Sequence, residues 1–350
     1  MSRIRAALTA LAVLTLLPGG APAAAEPDAP RIASAHPFSR DYQPGDVYMG
    51  VRLLGVLKLD PVRVDELLLT GLSALAWDED EDVLYALSDR GTLFHFLLHF
   101  DDDGLLADAR ARRAVALRDV HGKPLLGRWS DSEGMVARRA DNGIRGDTEL
   151  AVSFERAPRV LRFTPHGLPV GAVALPRRLR DPAQYRSGNR MLESLAVHPR
   201  HGLLTAPEQP MRDVSDGHVE VHALGSALHW RYPLAAEPNA ALTAMEVLRD
   251  GSLLTLERGY GVFFVPVITT LRQVHVLADA NGAMLQVRTV ARFSTGQGWQ
   301  LDNFEGLTRQ RGQRILLVSD DNARSFQSTL LAAFELMDTD SSAPRSADRE

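Results

Sequence analysis

Cysteine is absent from the 350 residues, which removes disulfides, thiolate metal sites and thiol catalysis from consideration. Basic charge is not in excess either: Lys and Arg number 39 against 44 Asp and Glu, a formal net charge of −5, so a nucleic-acid partner is a poor fit. Beyond the N-terminus no apolar run approaches the ~20 residues of a membrane-spanning helix, and no long Pro/Ser-rich linker divides the chain. The G-x-S-x-G elbow of serine hydrolases is missing, because Gly71-Leu72-Ser73-Ala74-Leu75 lacks the second glycine, and the 11 histidines show no zincin spacing. No phosphate-cradling loop opens a helix, since Arg258-Gly259-Tyr260-Gly261 follows a strand.

At the N-terminus Arg3 and Arg5 precede an apolar run from Ala6 to Leu17, and the small residues Ala23-Ala24-Ala25 follow. Residues 1–25 therefore read as a cleavable export signal, too short to span a bilayer, and imply a periplasmic or secreted protein. Removing them takes away two arginines and no acid, so the net charge becomes −7. Residues 26–340 are long enough for one large β architecture, and the polar tail 341–350 reads as disordered.

What fills that length is a repeated hairpin. Short β-rich runs recur at 83–88 (VLYALS), 149–154 (ELAVSF), 202–207 (GLLTAP), 252–257 (SLLTLE) and 314–319 (RILLVS). Each follows a turn signal and a second apolar run about ten residues upstream, as in antiparallel hairpins. A period of roughly 50–60 residues, with about four strands per period, is the mark of a β-propeller. The expected fold is all-β, with five four-stranded blades, or six if Arg272 to Phe293 supplies further strands. Val51 to Leu59 has no hairpin of its own and is expected to complete the C-terminal blade, closing the ring and removing two sheet edges.

Acidic residues stand at the ends of these strands. Asp89, Glu155, Glu208, Glu257 and Asp320 end the second strands, and Glu133, Glu193 and Glu305 begin three of the first, with Ala74 and Ala244 read as taking that place in the other two. An antiparallel hairpin brings together residues equidistant from its turn, so up to eight carboxylates are expected at one mouth of the channel. Such a cluster repels itself and calls for positive charge. Arg90, Arg156 and Arg258, which follow three of the acids, can supply it, and so can Ca²⁺, which prefers oxygen ligands. Purely structural ion pairing between blades is the competing explanation.

The segments DSEGMV, ELAVSFERAPRVLRF, MLESLAVHP, GLLTAPE, DGSLLTLERG, DNFEGLT and ILLVSDDN resemble the phytase-like family, also named for the esterase-like activity of phytase, from about Gly71 to Leu336. The resemblance implies phosphate-ester or ester hydrolysis of a small molecule on a propeller, with an acidic, metal-lined mouth like that of calcium-dependent propeller phytases. Glu133, Glu193, Glu305 and Asp320 would then hold calcium while the arginines stabilise developing negative charge. Two alternatives stay open: a non-catalytic calcium-binding propeller that recruits a partner, and a lactonase-like propeller. Among other candidates, Ser132 reads as a nucleophile or a turn residue, His218, Glu220 and His222 as a transition-metal face or an outer strand, and Trp129 and Trp299 as blade packing or the border of the mouth.

Overall fold

The computed structural model describes residues 32–260, 265–276, 281–322, 324 and 327–337; the segment read as an export signal, 1–25, and the tail 341–350 lie outside them. All five hairpins are present. Their first strands are Leu72–Asp78, Ser132–Arg138, Leu192–His198, Ala241–Val247 and Asn303–Arg309. Their second strands are Val83–Ser88, Glu149–Phe154, Gly202–Pro207, Leu253–Gly259 and Arg314–Asp320. Pairing is antiparallel throughout.

In four blades the next two strands of the chain complete the sheet. The fifth is finished by Thr329–Leu336 and then by Val51–Leu59, paired from Leu336↔Val51 to Thr329↔Leu59. The N-terminal strand thus closes the ring as expected, and Ala33–Ala35 adds an outer strand to it. Arg272 to Phe293 falls in the third and fourth strands of the fourth blade, Ile268–Val274 and Val287–Ser294, so the propeller has five blades.

Neighbouring blades touch along their first strands, which form the inner ring. The apolar core is divided among five interfaces, one between each pair of blades. Leu75 and Phe94 of the first blade, for instance, share a cluster with Leu316 and Val318 of the fifth. Because the sheets bury their apolar side chains against one another, the central channel is left for polar groups.

One irregularity recurs in every inner strand. The register shifts after Leu72, Ser132, Leu192, Leu242 and Phe304, which makes Ser73, Glu133, Glu193, Thr243 and Glu305 the extra residues of five β-bulges. A bulge re-aims its residue and strengthens the local twist. The next residue is always small: Ala74, Gly134, Ser194, Ala244 or Gly306. Packing between blades explains this. A Cβ on Gly134 of the second blade would lie 2.3 Å from the Glu193 carbonyl oxygen of the third, and one on Gly306 of the fifth would lie 3.1 Å from the Ala74 backbone of the first. Ala74 and Ala244 therefore belong to this close-packed ring and do not replace acids; Ser73 and Thr243 are the true counterparts of the three glutamates. Gly134→Ala should cost about 3 kcal/mol by overpacking, and a urea midpoint equal to that of the parent protein would refute this account of the motif.

Candidate functional site

The second strands place a further ring beside the bulges. Counting from the bulge, the residue beyond Ser88, Phe154, Pro207, Glu257 and Ser319 is Asp89, Glu155, Glu208, Arg258 or Asp320. Seven of the eight acids singled out in the sequence thus stand in the two rings. Glu257 does not. It is one residue too early, opposite Leu242, and accepts hydrogen bonds from the Tyr232 hydroxyl, from Ala235 N at 2.7 Å and from Arg272 Nη1 at 2.7 Å. The bonds from Tyr232 and Ala235 tie the third blade and the segment after it to the fourth. Arg258 occupies the ring position in its place.

Asp131, not singled out from the sequence, joins the cluster. It lies beside Glu155, whose backbone N–H donates to the Asp131 carbonyl at 2.9 Å. The available signal was the D-x-E spacing in DSEG, which sets Asp131 just ahead of the inner strand and two residues before the bulge at Glu133. Two triads of carboxylate oxygens result, each within 4.8 Å of one another: Asp131, Glu133 and Glu155, and Glu155, Glu193 and Glu208. Glu155 is common to both.

Positive charge is scarce here. Arg258 donates through Nη1 to Asn303 and Glu305 and through Nη2 to Glu208 at 2.8 Å, so it joins the fourth, fifth and third blades. Arg156 and Arg90 stand exposed at the rim, Arg156 Nε 3.2 Å from Asp131 and Arg90 Nε 3.8 Å from Asp89. Asp321 is structural, accepting from Thr70 Oγ1 at 2.7 Å, Gly71 N at 3.0 Å and Thr329 Oγ1 at 3.0 Å and so binding the first blade to the fifth.

Burial dominates the titration of these acids. It pushes Glu155 and Asp320 up to about 8. Glu133 and Glu193 are held well above the usual carboxylate range, first by burial and then by neighbouring carboxylates, Glu155 for one and Glu208 for the other. Burial also raises Glu305, Asp89 and Asp131, partly offset by Arg258, Arg90 and Arg156 respectively.

The pH dependence follows. Between the ordinary value of 4.5 and about 8 the folded Glu155 keeps a proton that the unfolded chain has lost. Folded protein then binds more protons than unfolded, so the stability these groups contribute is present at low pH and is lost as pH rises through that window. The metal-free protein should lose on the order of 10 °C of Tm between pH 5 and pH 8.5. A Tm that is flat or rises across that range would contradict the assignment.

Other candidates resolve differently. Ser132 is buried and donates to the Ser88 carbonyl at 2.7 Å, a link between blades. Glu220 accepts from Arg178 Nη1 at 2.6 Å and His222 Nε2 lies 3.4 Å from it, while His218 Nδ1 turns to the Asp216 carbonyl at 3.1 Å; the three do not converge. Trp299 is buried among Phe38, Tyr42 and Phe293, whereas Trp129 is exposed.

Against this geometry the comparison with protein families is decisive: the model described as "Phytase-like: Esterase-like activity of phytase" matches residues 68–323. The chain belongs to the phytase-like family. Membership places it among propellers of the hydrolase type, and the matched span of the phytase-like domain runs from just before the first inner strand to just after the fifth blade's second strand. No curated protein matches the chain. A solved structure titled as a gluconolactonase of Xanthomonas campestris is 15% identical, covers 87% of this chain and 99% of its own, and superposes with a TM-score of 0.40. No helix among the described residues of this phytase-like protein is long and apolar enough to cross a membrane.

Proposed function

We propose that the protein is an exported, calcium-dependent hydrolase of phosphate esters, with its site at the acidic mouth of the propeller. The observation that carries this reading is the pair of carboxylate triads sharing Glu155. Every donor is a hard oxygen, and oxygens within 4.8 Å of one another match a shell with metal–oxygen distances of roughly 2.3–2.6 Å. Asp131, Glu133, Glu155, Glu193 and Glu208 would hold the ion. Bound there, calcium would polarise a phosphoryl oxygen and lower the pKa of a water molecule.

The chain's own groups supply the rest. Arg156 and Arg90, exposed at the rim, are placed to meet the anionic ester and the charge that grows on it. Arg258 is committed to Glu208, Glu305 and Asn303, and so orients ligands more than it touches substrate. Asp320, raised to about 8, keeps its proton near neutral pH; with Oδ1 accepting from Asn322 N at 2.7 Å, Oδ2 remains to deliver a proton to the departing oxygen.

The test is turnover of p-nitrophenyl phosphate, phytate, simple esters and lactones by the mature protein, with calcium and after chelation. Phosphate release that needs calcium is expected. No turnover of any substrate, together with a calcium-raised Tm, would replace this reading by a non-catalytic calcium-binding propeller.

A further inference from the structure

The segment that joins the first blade to the second leaves a groove beside the acidic mouth. It encloses about 860 Å³ between residues 118–129 and the two outer strands of the second blade, Arg159–Phe163 and Pro169–Val173. Its walls include Val120, Leu126, Trp129, Leu161 and Val170. Val120 is 82% exposed, Leu126 74% and Trp129 54%, a concentration of bare apolar surface that the fold does not need, since the blade interfaces bury their own clusters.

The end of the groove nearest the carboxylates is built from arginines. Arg159 and Arg128 lie 5.2 and 5.4 Å from the centre of the Trp129 ring, and Arg159 donates to the Trp129 carbonyl. Arg128 Nη2 donates to the Arg156 carbonyl at 3.1 Å, and Arg156 Nε in turn lies 3.2 Å from Asp131 of the first triad. Apolar wall, cationic rim and carboxylate triad thus follow one another along a continuous surface. A ligand complementary to that order has an apolar body and an anionic head.

We infer that the groove is a subsite for the apolar alcohol portion of the substrate, so that the preferred substrates are phosphate monoesters of aromatic or branched apolar alcohols. The inference rests on the hydrolase reading for the position of the phosphate. Of the polar residues on the lining besides Lys123, Arg118 bonds the Gly122 carbonyl, Asp119 accepts from His121 N and Lys123 N, and Arg159 bonds the Trp129 carbonyl; the rest of the wall, Val120, Leu126, Leu161 and Val170 among it, is apolar, which suits an apolar alcohol better than a polyhydroxylated one. Hydrolysis of such an ester consumes one water and yields the apolar alcohol and inorganic phosphate; the alcohol oxygen takes up the proton and leaves along the groove.

Trp129 makes the test direct, because it alone of the four tryptophans is exposed and lines this groove, Trp77, Trp230 and Trp299 being buried. In calcium, the non-hydrolysable 2-naphthylmethylphosphonate should quench emission saturably, and methylphosphonate should not. Leu126→Ser, at an exposed position that the fold does not depend on, should weaken the naphthyl ligand about tenfold or more. The same variant should lower kcat/KM for 2-naphthyl phosphate by a similar factor and leave glycerol phosphate unchanged. Saturable quenching without turnover of any phosphate ester would keep the groove and overturn the hydrolase. Calcium-dependent turnover with no quenching, or with no preference for the naphthyl ester, would overturn the groove alone. A concentration-dependent dimer in sedimentation that shields Trp129 would overturn it as well, by assigning the surface to a second copy.

Discussion

Glu155→Gln is expected to abolish the calcium response and to lower hydrolysis at least about 100-fold. Glu155 is the one carboxylate common to both triads, so its loss removes a charged ligand from each. The fold should survive, because Oε1 accepts a hydrogen bond from Met191 N at 3.1 Å and glutamine retains that acceptor at the same volume. Calcium binding only to the folded mouth raises Tm by mass action; in the variant the rise should vanish, while the metal-free protein at pH 8 becomes more stable for want of a repelling charge. Glu257→Gln is the matched control. It lies outside the cluster and is paired with Arg272, so it should leave the calcium response intact and cost about 3 kcal/mol in stability through a stranded guanidinium. If the two variants behave alike in calcium, the triads are not the site.

Arg258→Met should be the most damaging single change to the metal-free protein. The guanidinium bonds Glu208 and Glu305 at once, and its own proton is held more tightly than usual by those carboxylates despite the cost of burial. Removing one partner of a buried pair leaves the other charge uncompensated, at about 3–5 kcal/mol. That penalty should appear in full near pH 8 and shrink toward pH 5, where Glu305 and its neighbours can take up protons instead. Calcium should restore much of the lost stability, since the ion would neutralise the same oxygens. Urea unfolding at the two pH values, each with calcium and with chelator, separates these outcomes; a loss independent of pH would mean that Arg258 matters for packing alone.

The five blades, the closing strand and nearly every second-strand boundary were legible in the sequence, because each hairpin carries its own turn signal and β-rich run within a short stretch of chain. VLYALS, ELAVSF and GLLTAP coincide with Val83–Ser88, Glu149–Phe154 and Gly202–Pro207. The site was legible only to within one residue. Mirror pairing about each turn assumes an unbroken ladder, whereas a bulge displaces everything beyond it by one. Hence Glu305 sits in the bulge instead of facing Asp320, whose partner is Asn303. In the fourth blade the likeness of LERG to SDRG aligned Glu257 with Asp89, although register gives that place to Arg258. Trp299 precedes DNFEG as Trp129 precedes DSEG, yet packing of the N-terminal segment, Phe38 and Tyr42 among it, buries the first. Nothing local in the sequence announces that long-range contact.

Closure of the ring by its two ends also fixes an order of events in synthesis. Leu59 has Thr329 as its partner in the ladder, 329 − 59 = 270 residues on, so the one strand must wait for the other to be made. Until then the nascent chain carries an exposed strand at each end of an open array, with the interface between the fifth and first blades still unfilled. At ~5–20 residues per second this interval lasts long enough for the unpaired edges to meet other chains. The latch that closes the finished ring is therefore also its point of greatest hazard while it is being made, and chaperone capture should fall on chains that end short of residue 329.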